Sequence, residues 1–239
     1  MESVSITKLI NLDYHGNEAY KTLRSNIQFC GSDIKVIGIT SCTPNEGKSS
    51  VSLNLAVSMA EAGKKVVFID ADLRKSVLIG RYKINKPIKG LSHYLSGINK
   101  LDEVIYDGNT ENLNLIFSGP VPPNPSELLG GNKFEGLLNA LKGVYDYIII
   151  DTPPLGSVID SAVIAKLCDG MIMVIEANTI SYKFAQRVKN QLDKTGCKIL
   201  GAVLNKVDMS EKGYYGKYYG KYYGKYYGAY GEQVHKEKK

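Results

Sequence analysis

Residues 40–50 read TSCTPNEGKSS, and this stretch decides the fold. An apolar run at 36–40 precedes it and an amphipathic run at 51–62 follows it. This order predicts a strand, a tight loop and a helix. A loop in that place directs its backbone N–H groups, together with the positive end of the helix dipole, at an anion. The stretch therefore predicts a phosphate-binding loop in an α/β protein.

The second half of the loop carries the side chains and amides that we expect to contact a nucleotide: Thr43, Asn45, Glu46, Gly47, Lys48, Ser49 and Ser50. Lys48 supplies a point charge for the β- and γ-phosphates, and the Ser49 hydroxyl is suited to Mg²⁺. Cys42 stands where the usual motif has Gly, so only the second half of the motif matches. The alternative is a Gly-Lys-Ser that starts a helix and binds nothing, which would leave a costly buried Lys48 without an anion.

Polar residues follow three other apolar runs. Asp70 and Asp72 come after the run at 66–69, Asp151 after 147–150, and Asn205 after 199–204. The carboxyl ends of strands form the ligand crevice of an open α/β sheet. Asp70 and Asp72 face the same way if strand geometry persists. Asn205 is a candidate for reading a purine edge, although a simple turn after a strand explains it equally well.

The rest of the body alternates apolar and amphipathic runs. Further strands are predicted at 113–117 and 171–175, and all six runs are nearly continuously apolar, which is typical of strands covered on both faces. Helices are predicted at 134–141, 161–167 and 184–192, with a short one opening at Asn124 and Pro125. An additional helix at 17–29 precedes the first strand. The pattern predicts a parallel, doubly wound sheet of the phosphate-loop NTPase type with an extra N-terminal helix.

The C-terminal tail has a different composition from the body. From Gly213 it repeats Gly-Lys-Tyr-Tyr and holds nine of the 17 tyrosines. This low-complexity pattern predicts a disordered segment. We therefore divide the chain into an N-terminal helical segment for oligomer contact (1–35), a phosphate-loop kinase domain (36–209) and a disordered tail (210–239).

Charge and composition exclude several classes of function. The chain of 239 residues carries a formal charge of +6, and seven Lys against three Glu place +4 of it in the tail. The nearly neutral body gives no electrostatic reason to expect nucleic acid as a partner. No apolar run approaches the roughly 20 residues of a membrane span, and the four cysteines form no CxxC pair. These features predict a cytoplasmic protein.

These motifs together resemble the bacterial tyrosine kinase family. The phosphate loop, the DxDxR run at Asp70, Asp72 and Arg74, the DxxP run from Asp151 to Pro154 and the tyrosine-rich tail carry the resemblance. More narrowly, the chain is similar to the stand-alone tyrosine autokinases of Gram-positive capsule and exopolysaccharide loci. The resemblance implies ATP-dependent, Mg²⁺-dependent phosphorylation of tyrosines in the tail of a neighbouring copy within a ring-shaped oligomer. It also implies control of polysaccharide synthesis and export.

The resemblance further implies partners and residue roles. A membrane-embedded polysaccharide co-polymerase modulator would recruit the kinase to the inner face of the membrane, and a cognate phosphatase would reverse the modification. Mg²⁺ would be held by Ser49, with Asp72 and Asp151 acting directly or through water, and Lys48, Asp70, Asp72 and Asp151 would form the catalytic group. Either Asp70 or Asp72 would accept the phenol proton, with Asp72 favoured. The phospho-acceptors would be Tyr214, Tyr215, Tyr218, Tyr219, Tyr222, Tyr223, Tyr226, Tyr227 and Tyr230.

The N-terminal helix carries the expected ring contact. The family's motif Glu-x-x-Arg-x-x-Arg corresponds here to Glu18, Lys21 and Arg24, with Lys21 in place of an Arg. Lysine lacks the planar fork of arginine, so the contact is expected to differ in shape. Two rival functions remain at this point: a partitioning or positioning ATPase without kinase activity, and an ATP-gated scaffold phosphorylated by another enzyme. Thr43 disfavours the first, because those ATPases carry an additional Lys early in the loop.

Overall fold

The computed structural model describes residues 2–3, 12–81 and 88–208. One eight-stranded sheet runs through it in the order β1-β4-β5-β3-β6-β2-β7-β8. The strands are β1 (Glu2–Ser3), β2 (Val36–Ser41), β3 (Val66–Asp70), β4 (Tyr106–Asp107), β5 (Leu113–Ile116), β6 (Tyr147–Asp151), β7 (Gly170–Glu176) and β8 (Ile199–Asn205). The helices are α1 (Tyr14–Phe29), α2 (Lys48–Glu61), α3 (Leu78–Arg81), α4 (Leu91–Leu95), α5 (Pro125–Leu129), α6 (Asn132–Lys142), α7 (Asp160–Ala165) and α8 (Tyr182–Asp193), with a 3-10 turn at Leu101–Glu103.

The predicted parallel, doubly wound sheet is confirmed with one local exception. Every strand pair is parallel except β4 and β5, which are antiparallel. A short turn joins these two strands, and Asn112 in that turn adopts a left-handed φ of 64°. The sequence did not reveal β1 or β4, because two residues are too few to show a period.

Two apolar layers cover the two faces of the sheet. One layer includes Phe68, Leu55 and Met59 with α2, and the other includes Phe134 and Leu137 of α6. The central strands β2 and β3 are buried at every position. This arrangement confirms that the nearly continuous apolar runs mark strands covered on both sides.

For β8 that expectation is wrong. Gly201 and Ala202 are exposed, and Leu204 is 42 % exposed. The strand forms one edge of the sheet and pairs only with β7. An edge strand and a central strand can share the same apolar composition, so the run at 199–204 did not distinguish them.

The predicted N-terminal helix is confirmed as α1 and packs on the body. The Asp13 carboxylate accepts the Gly16 N–H at 2.8 Å and caps its first turn. Ile27 is buried in the same apolar layer as α2, and Tyr20 and Leu23 pack against that layer. Among the described residues, no helix combines the length and apolar character needed to cross a membrane. The tail at 210–239, with its nine tyrosines, lies outside the described residues, and the division into three segments stays a prediction.

The short helix α5 begins as predicted with Pro125 at its first position. Asn124 is the N-cap residue of this helix. The Asn124 side chain makes no hydrogen bond to the backbone of the first turn, and its amide instead donates to the Glu127 carboxylate at 2.8 Å.

Candidate active site

The phosphate loop lies between β2, which ends at Ser41, and α2, which begins at Lys48. Asn45 and Gly47 take left-handed φ angles of 68° and 90°. Glycine is favoured at 47 because L side chains rarely adopt this φ, and a Cβ there would also lie 2.1 Å from the Asn205 amide nitrogen. The loop therefore turns sharply and places Lys48, Ser49 and Ser50 in the first turn of α2, at the positive end of the helix dipole.

Glu46 and Asn205 brace this loop from within. The Glu46 side chain is buried, and its Oε2 accepts the Thr43 N–H at 2.8 Å. The Asn205 amide donates to the Glu46 carbonyl at 2.8 Å. Sequence reasoning assigned Glu46 and Asn205 to nucleotide contact; the structure shows them holding the loop, and direct contact with a nucleotide stays a prediction.

A further pair at the sheet edge, missed by sequence reasoning, also holds the loop. The Lys206 ammonium donates to the Asn45 carbonyl at 2.8 Å and pairs with the Glu176 carboxylate at 2.8 Å. Lys206 itself takes a left-handed φ of 55°. The Lys206–Asn45 contact joins residues 161 positions apart, and the Lys206–Glu176 pair joins residues 30 positions apart. Local sequence patterns carry no signal for either contact.

The structure brings Lys48, Asp72 and Asp151 together. The Lys48 ammonium lies 3.4 Å from Asp72 Oδ2, 3.4 Å from Asp151 Oδ1 and 3.2 Å from the Ser49 hydroxyl. Burial alone would lower the pKa of Lys48, but the attraction of Asp151, Asp72 and Asp70 outweighs it and raises that pKa. Lys48 therefore stays positively charged inside a pocket of carboxylates.

Asp70 and Asp151 lie directly opposite each other on neighbouring strands. Both are fully buried, and burial raises the pKa of each carboxyl, that of Asp70 to about 7. The repulsion of Asp151 adds to the effect on Asp70, whereas the hydrogen bond from Ser76 opposes it. Asp70 therefore holds a proton for part of the time near neutral pH.

We expected the side chains of Asp70 and Asp72 to face the same way if strand geometry continued between them. The strand geometry does not continue to Asp72, so this condition is not met. β3 ends at Asp70, and the Asp72 N–H turns back to donate to Asp70 Oδ1 at 3.2 Å. Asp72 Oδ1 then accepts the N–H groups of Arg74 at 3.3 Å and Lys75 at 3.0 Å. Asp72 reaches the site because a tight turn, rather than the alternation of a strand, directs its Oδ2 to Lys48.

Ser52 belongs to the site although sequence reasoning did not select it. Its hydroxyl lies 3.3 Å from Asp151 Oδ1 and donates to the Lys48 carbonyl at 2.7 Å. Its position one turn after Lys48 on the same face of α2 was a usable signal.

Cys42 occupies the position of the missing glycine as a fully buried side chain. Burial, aided by the nearby Glu46, raises the pKa of its thiol to about 12. The thiol is therefore protonated and unreactive at neutral pH, as expected for a small buried residue.

The predicted ring-contact residues lie on α1. Glu18 and Lys21 form an exposed ion pair at 2.7 Å. Arg24 donates to the Ser58 carbonyl at 2.6 Å and to the Ser58 hydroxyl at 3.2 Å, within the same chain. Their role between copies stays a prediction.

The sequence is similar to a known domain family and to named tyrosine kinases. Residues 34–199 match the family described as AAA domain. The chain is 45 % identical over 205 residues to the tyrosine-protein kinase CpsD of Streptococcus agalactiae, covering 84 % of this chain and 90 % of that protein. It is 45 % identical over 197 residues to the tyrosine-protein kinase CpsD of Streptococcus pneumoniae serotype 4, covering 82 % and 87 %.

Solved structures agree with the sequence relatives. The kinase domain of the Escherichia coli tyrosine kinase ETK superposes with a TM-score of 0.78 at 33 % identity, covering 86 % of this chain and 81 % of that one. The septum site-determining protein MinD of Pyrococcus horikoshii, complexed with Mg-ADP, superposes less well. Its TM-score is 0.63 at 29 % identity, covering 75 % and 73 %. Tyrosine kinases are thus more similar to this chain than a positioning ATPase.

Proposed function

Because the chain belongs to the bacterial tyrosine kinase family and carries an AAA domain, we propose that it transfers the γ-phosphoryl group of ATP to tyrosines in the C-terminal tail of a neighbouring copy. The enzyme is a protein-tyrosine kinase that acts in capsular or extracellular polysaccharide synthesis and export. The partitioning ATPase is less well supported, since the named sequence relatives are tyrosine kinases.

One observation carries the proposal: Lys48 lies between Asp72 and Asp151 at the start of α2, beside the phosphate loop. A phosphoryl-transfer site needs a cation for the transferred group's oxygens and carboxylates for the metal and the acceptor. Here the Lys48 ammonium is the cation, and the carboxylates of Asp72 and Asp151 each lie 3.4 Å from it. The loop amides at the helix start complete the anion-binding surface.

The donor set of this pocket fits Mg²⁺. No three His, Cys, Asp or Glu side chains among residues 12–81 and 88–208 form a metal site by themselves. Mg²⁺ typically takes one or two carboxylates and completes its shell with phosphate oxygens and water, and this pocket supplies the Asp72 and Asp151 carboxylates and the Ser49 hydroxyl around Lys48. Ser49, Asp72 and Asp151 would hold the ion, which supplies charge neutralisation for the β- and γ-phosphates when bound.

Asp72 is the residue that we assign to the acceptor hydroxyl. A phenol has a pKa near 10 and needs help to lose its proton at neutral pH. Asp70 is less suited, since its oxygens already accept the Asp72 N–H and the Ser76 hydroxyl. Asp72 Oδ2 is the oxygen of this carboxylate that faces the site, 3.4 Å from the Lys48 ammonium, because Oδ1 is held by two backbone N–H groups.

The tail at 210–239 serves as the acceptor. If the tail is disordered, as its composition predicts, its 30 residues would have an end-to-end spread of roughly 30 Å, enough to reach the site of an adjacent copy. Each phosphate adds about −1.5 to −2 charges, so four phosphates convert the +4 tail to roughly −2 to −4. Like-charged tails in a ring repel each other, which gives a physical route to disassembly.

The assembly and location follow from the same family membership. We infer a homo-oligomeric ring with contacts through Glu18, Lys21 and Arg24. A membrane-embedded modulator recruits this cytoplasmic chain to the inner face of the membrane, and a dedicated phosphatase resets the tail. Nucleic acid is not among the partners that we infer.

The test separates donor and acceptor chains. The full-length Lys48→Met chain provides a tail without activity, and the wild-type chain lacking 210–239 provides activity without a tail. The two are mixed with Mg-ATP, with and without the cytoplasmic segment of a candidate modulator. Mass spectrometry then maps phosphotyrosine. Lys183→Met, at an exposed lysine on α8, is the matched control for loss of a charge.

We expect phosphotyrosine on the Lys48→Met tail only when the truncated chain is present. Lys48→Met alone should show no label, and Lys183→Met should label like the wild type. Label on Lys48→Met alone would mean that another activity modifies the tail. No label in the mixture, beside strong label on the intact wild type, would restrict transfer to a chain's own tail.

A further inference from the structure

Arg74 joins three segments that are distant in the sequence. Its guanidinium pairs with Asp160, with Nε 2.6 Å from Oδ2 and Nη2 3.0 Å from Oδ1. The Ser126 hydroxyl of α5 donates to Asp160 Oδ1 at 2.5 Å and accepts from Arg74 Nη2 at 3.0 Å. Asp160 is the first residue of α7 and is fully buried. The turn that follows β3 is thus tied to both α5 and α7.

The same residue also holds Asp72 through its main chain. Asp72 Oδ1 accepts the N–H groups of Arg74 and of Lys75 at 3.3 and 3.0 Å. With that oxygen held, Oδ2 faces the Lys48 ammonium at 3.4 Å. Fixing the Arg74 side chain on Asp160 therefore also fixes the amide that orients the Asp72 carboxylate.

The contacts of Asp160 with Arg74 and Ser126 keep its carboxylate ionised. Burial alone would raise the pKa of Asp160, but the hydrogen bonds from Arg74 and Ser126 outweigh it and bring that pKa below its usual value. A planar guanidinium makes the two parallel contacts in one fixed orientation, which the ammonium of a lysine cannot reproduce. The pair is therefore specific in geometry as well as in charge.

We propose that Arg74 is a positioning residue that, anchored on Asp160 and Ser126, holds the Asp72 carboxylate in the orientation that binds Mg²⁺. It acts through Asp72 and touches neither the ion nor the nucleotide. The inference rests on the proposed function, in which Asp72 is one of the residues that hold Mg²⁺. Substitution of a residue that holds a metal ligand in place commonly lowers metal affinity by about 10-fold to 100-fold.

The experiment measures how much Mg²⁺ strengthens nucleotide binding. The full chain is titrated with a fluorescent ADP analogue in Mg²⁺ and again in EDTA, and the ratio of the two affinities is the Mg²⁺ enhancement. The variants are Arg74→Lys, Ser126→Ala and Asp72→Asn, with Arg187→Lys on the exposed face of α8 as the matched control. Electron paramagnetic resonance of bound Mn²⁺ gives a second readout that is independent of activity.

For Arg74→Lys we expect the enhancement to fall by about 10-fold or more while the affinity in EDTA is unchanged. Ser126→Ala should lower the enhancement by a smaller factor, and Arg187→Lys should leave it at the wild-type value. An equal loss of affinity in Mg²⁺ and in EDTA would show a general structural role and overturn the inference. If Arg74→Lys fails to fold, an enhancement of wild-type size in Ser126→Ala overturns it.

Asp72→Asn separates this inference from the function on which it rests. Loss of the enhancement in Asp72→Asn beside full enhancement in Arg74→Lys would overturn the positioning role alone. Full enhancement in Asp72→Asn would instead remove Asp72 from the Mg²⁺ site, and the inference with it. Neither result bears on whether the tail is phosphorylated.

Discussion

The buried carboxyl of Asp70 makes the stability of the nucleotide-free protein depend on pH. In the folded chain burial raises its pKa from 3.8 to about 7, whereas the unfolded chain has the ordinary value. Between these two values the folded state binds more protons than the unfolded state. The free energy of unfolding therefore decreases as the pH rises through this window.

The magnitude follows from the two pKa values. The full difference of about three units corresponds to about 4 kcal/mol when both states are ionised. Between about pH 5.5 and about pH 8, Asp70 alone lowers the free energy of unfolding by about 2 kcal/mol. Burial also raises the pKa of Asp151, which changes stability in the same direction.

The assay is urea unfolding at the two pH values, followed by far-ultraviolet circular dichroism because the chain contains no tryptophan. Asp70→Asn is the matched variant, since asparagine has nearly the same shape and does not ionise. The wild type should lose about 2 kcal/mol more than Asp70→Asn between the two pH values. Equal pH dependence in the two proteins would refute the claim that Asp70 is protonated in the folded state.

Three further substitutions test other parts of the structure. Gly47→Ala should weaken ADP binding in a fluorescence titration. A left-handed φ costs an L-residue about 1–2 kcal/mol, and the new Cβ would contact Asn205. An unchanged affinity for ADP would contradict this prediction. Arg24→Ala should lower the free energy of unfolding in urea by about 1 kcal/mol, because Arg24 satisfies the Ser58 carbonyl in the last turn of α2. A loss of oligomer in sedimentation without that change would place Arg24 solely between copies. Phe134→Ala empties a fully buried site on α6 and should cost about 3–5 kcal/mol in the same assay, and a cost below 1 kcal/mol would mean that the surrounding layer collapses into the space.

The elements that the sequence predicted correctly depend on local patterns. Predicting the loop that ends at Lys48 requires only the recognition of a strand before it and a helix after it. Asp151 needs only the rule that the carboxyl ends of parallel strands share one edge of the sheet.

The features that the sequence did not predict depend on contacts between distant segments. Arg74 belonged to a recognised motif, but its partner Asp160 is 86 positions away, at the first residue of α7, and belongs to no motif. Lys206 and Glu176 meet the loop from the ends of β8 and β7. The exposure of β8 depends on its place in the strand order, which composition does not encode.

The position of Lys48 has a consequence for how a ligand enters. In the nucleotide-free protein its ammonium is already paired with Asp72 and Asp151, so an arriving triphosphate must draw it away from both. If Mg²⁺ binds together with the nucleotide, as we propose, Asp72 and Asp151 would gain a new cationic partner when Lys48 turns to the phosphates. Binding would then exchange one set of ion pairs for another, and no buried charge would be left unpaired.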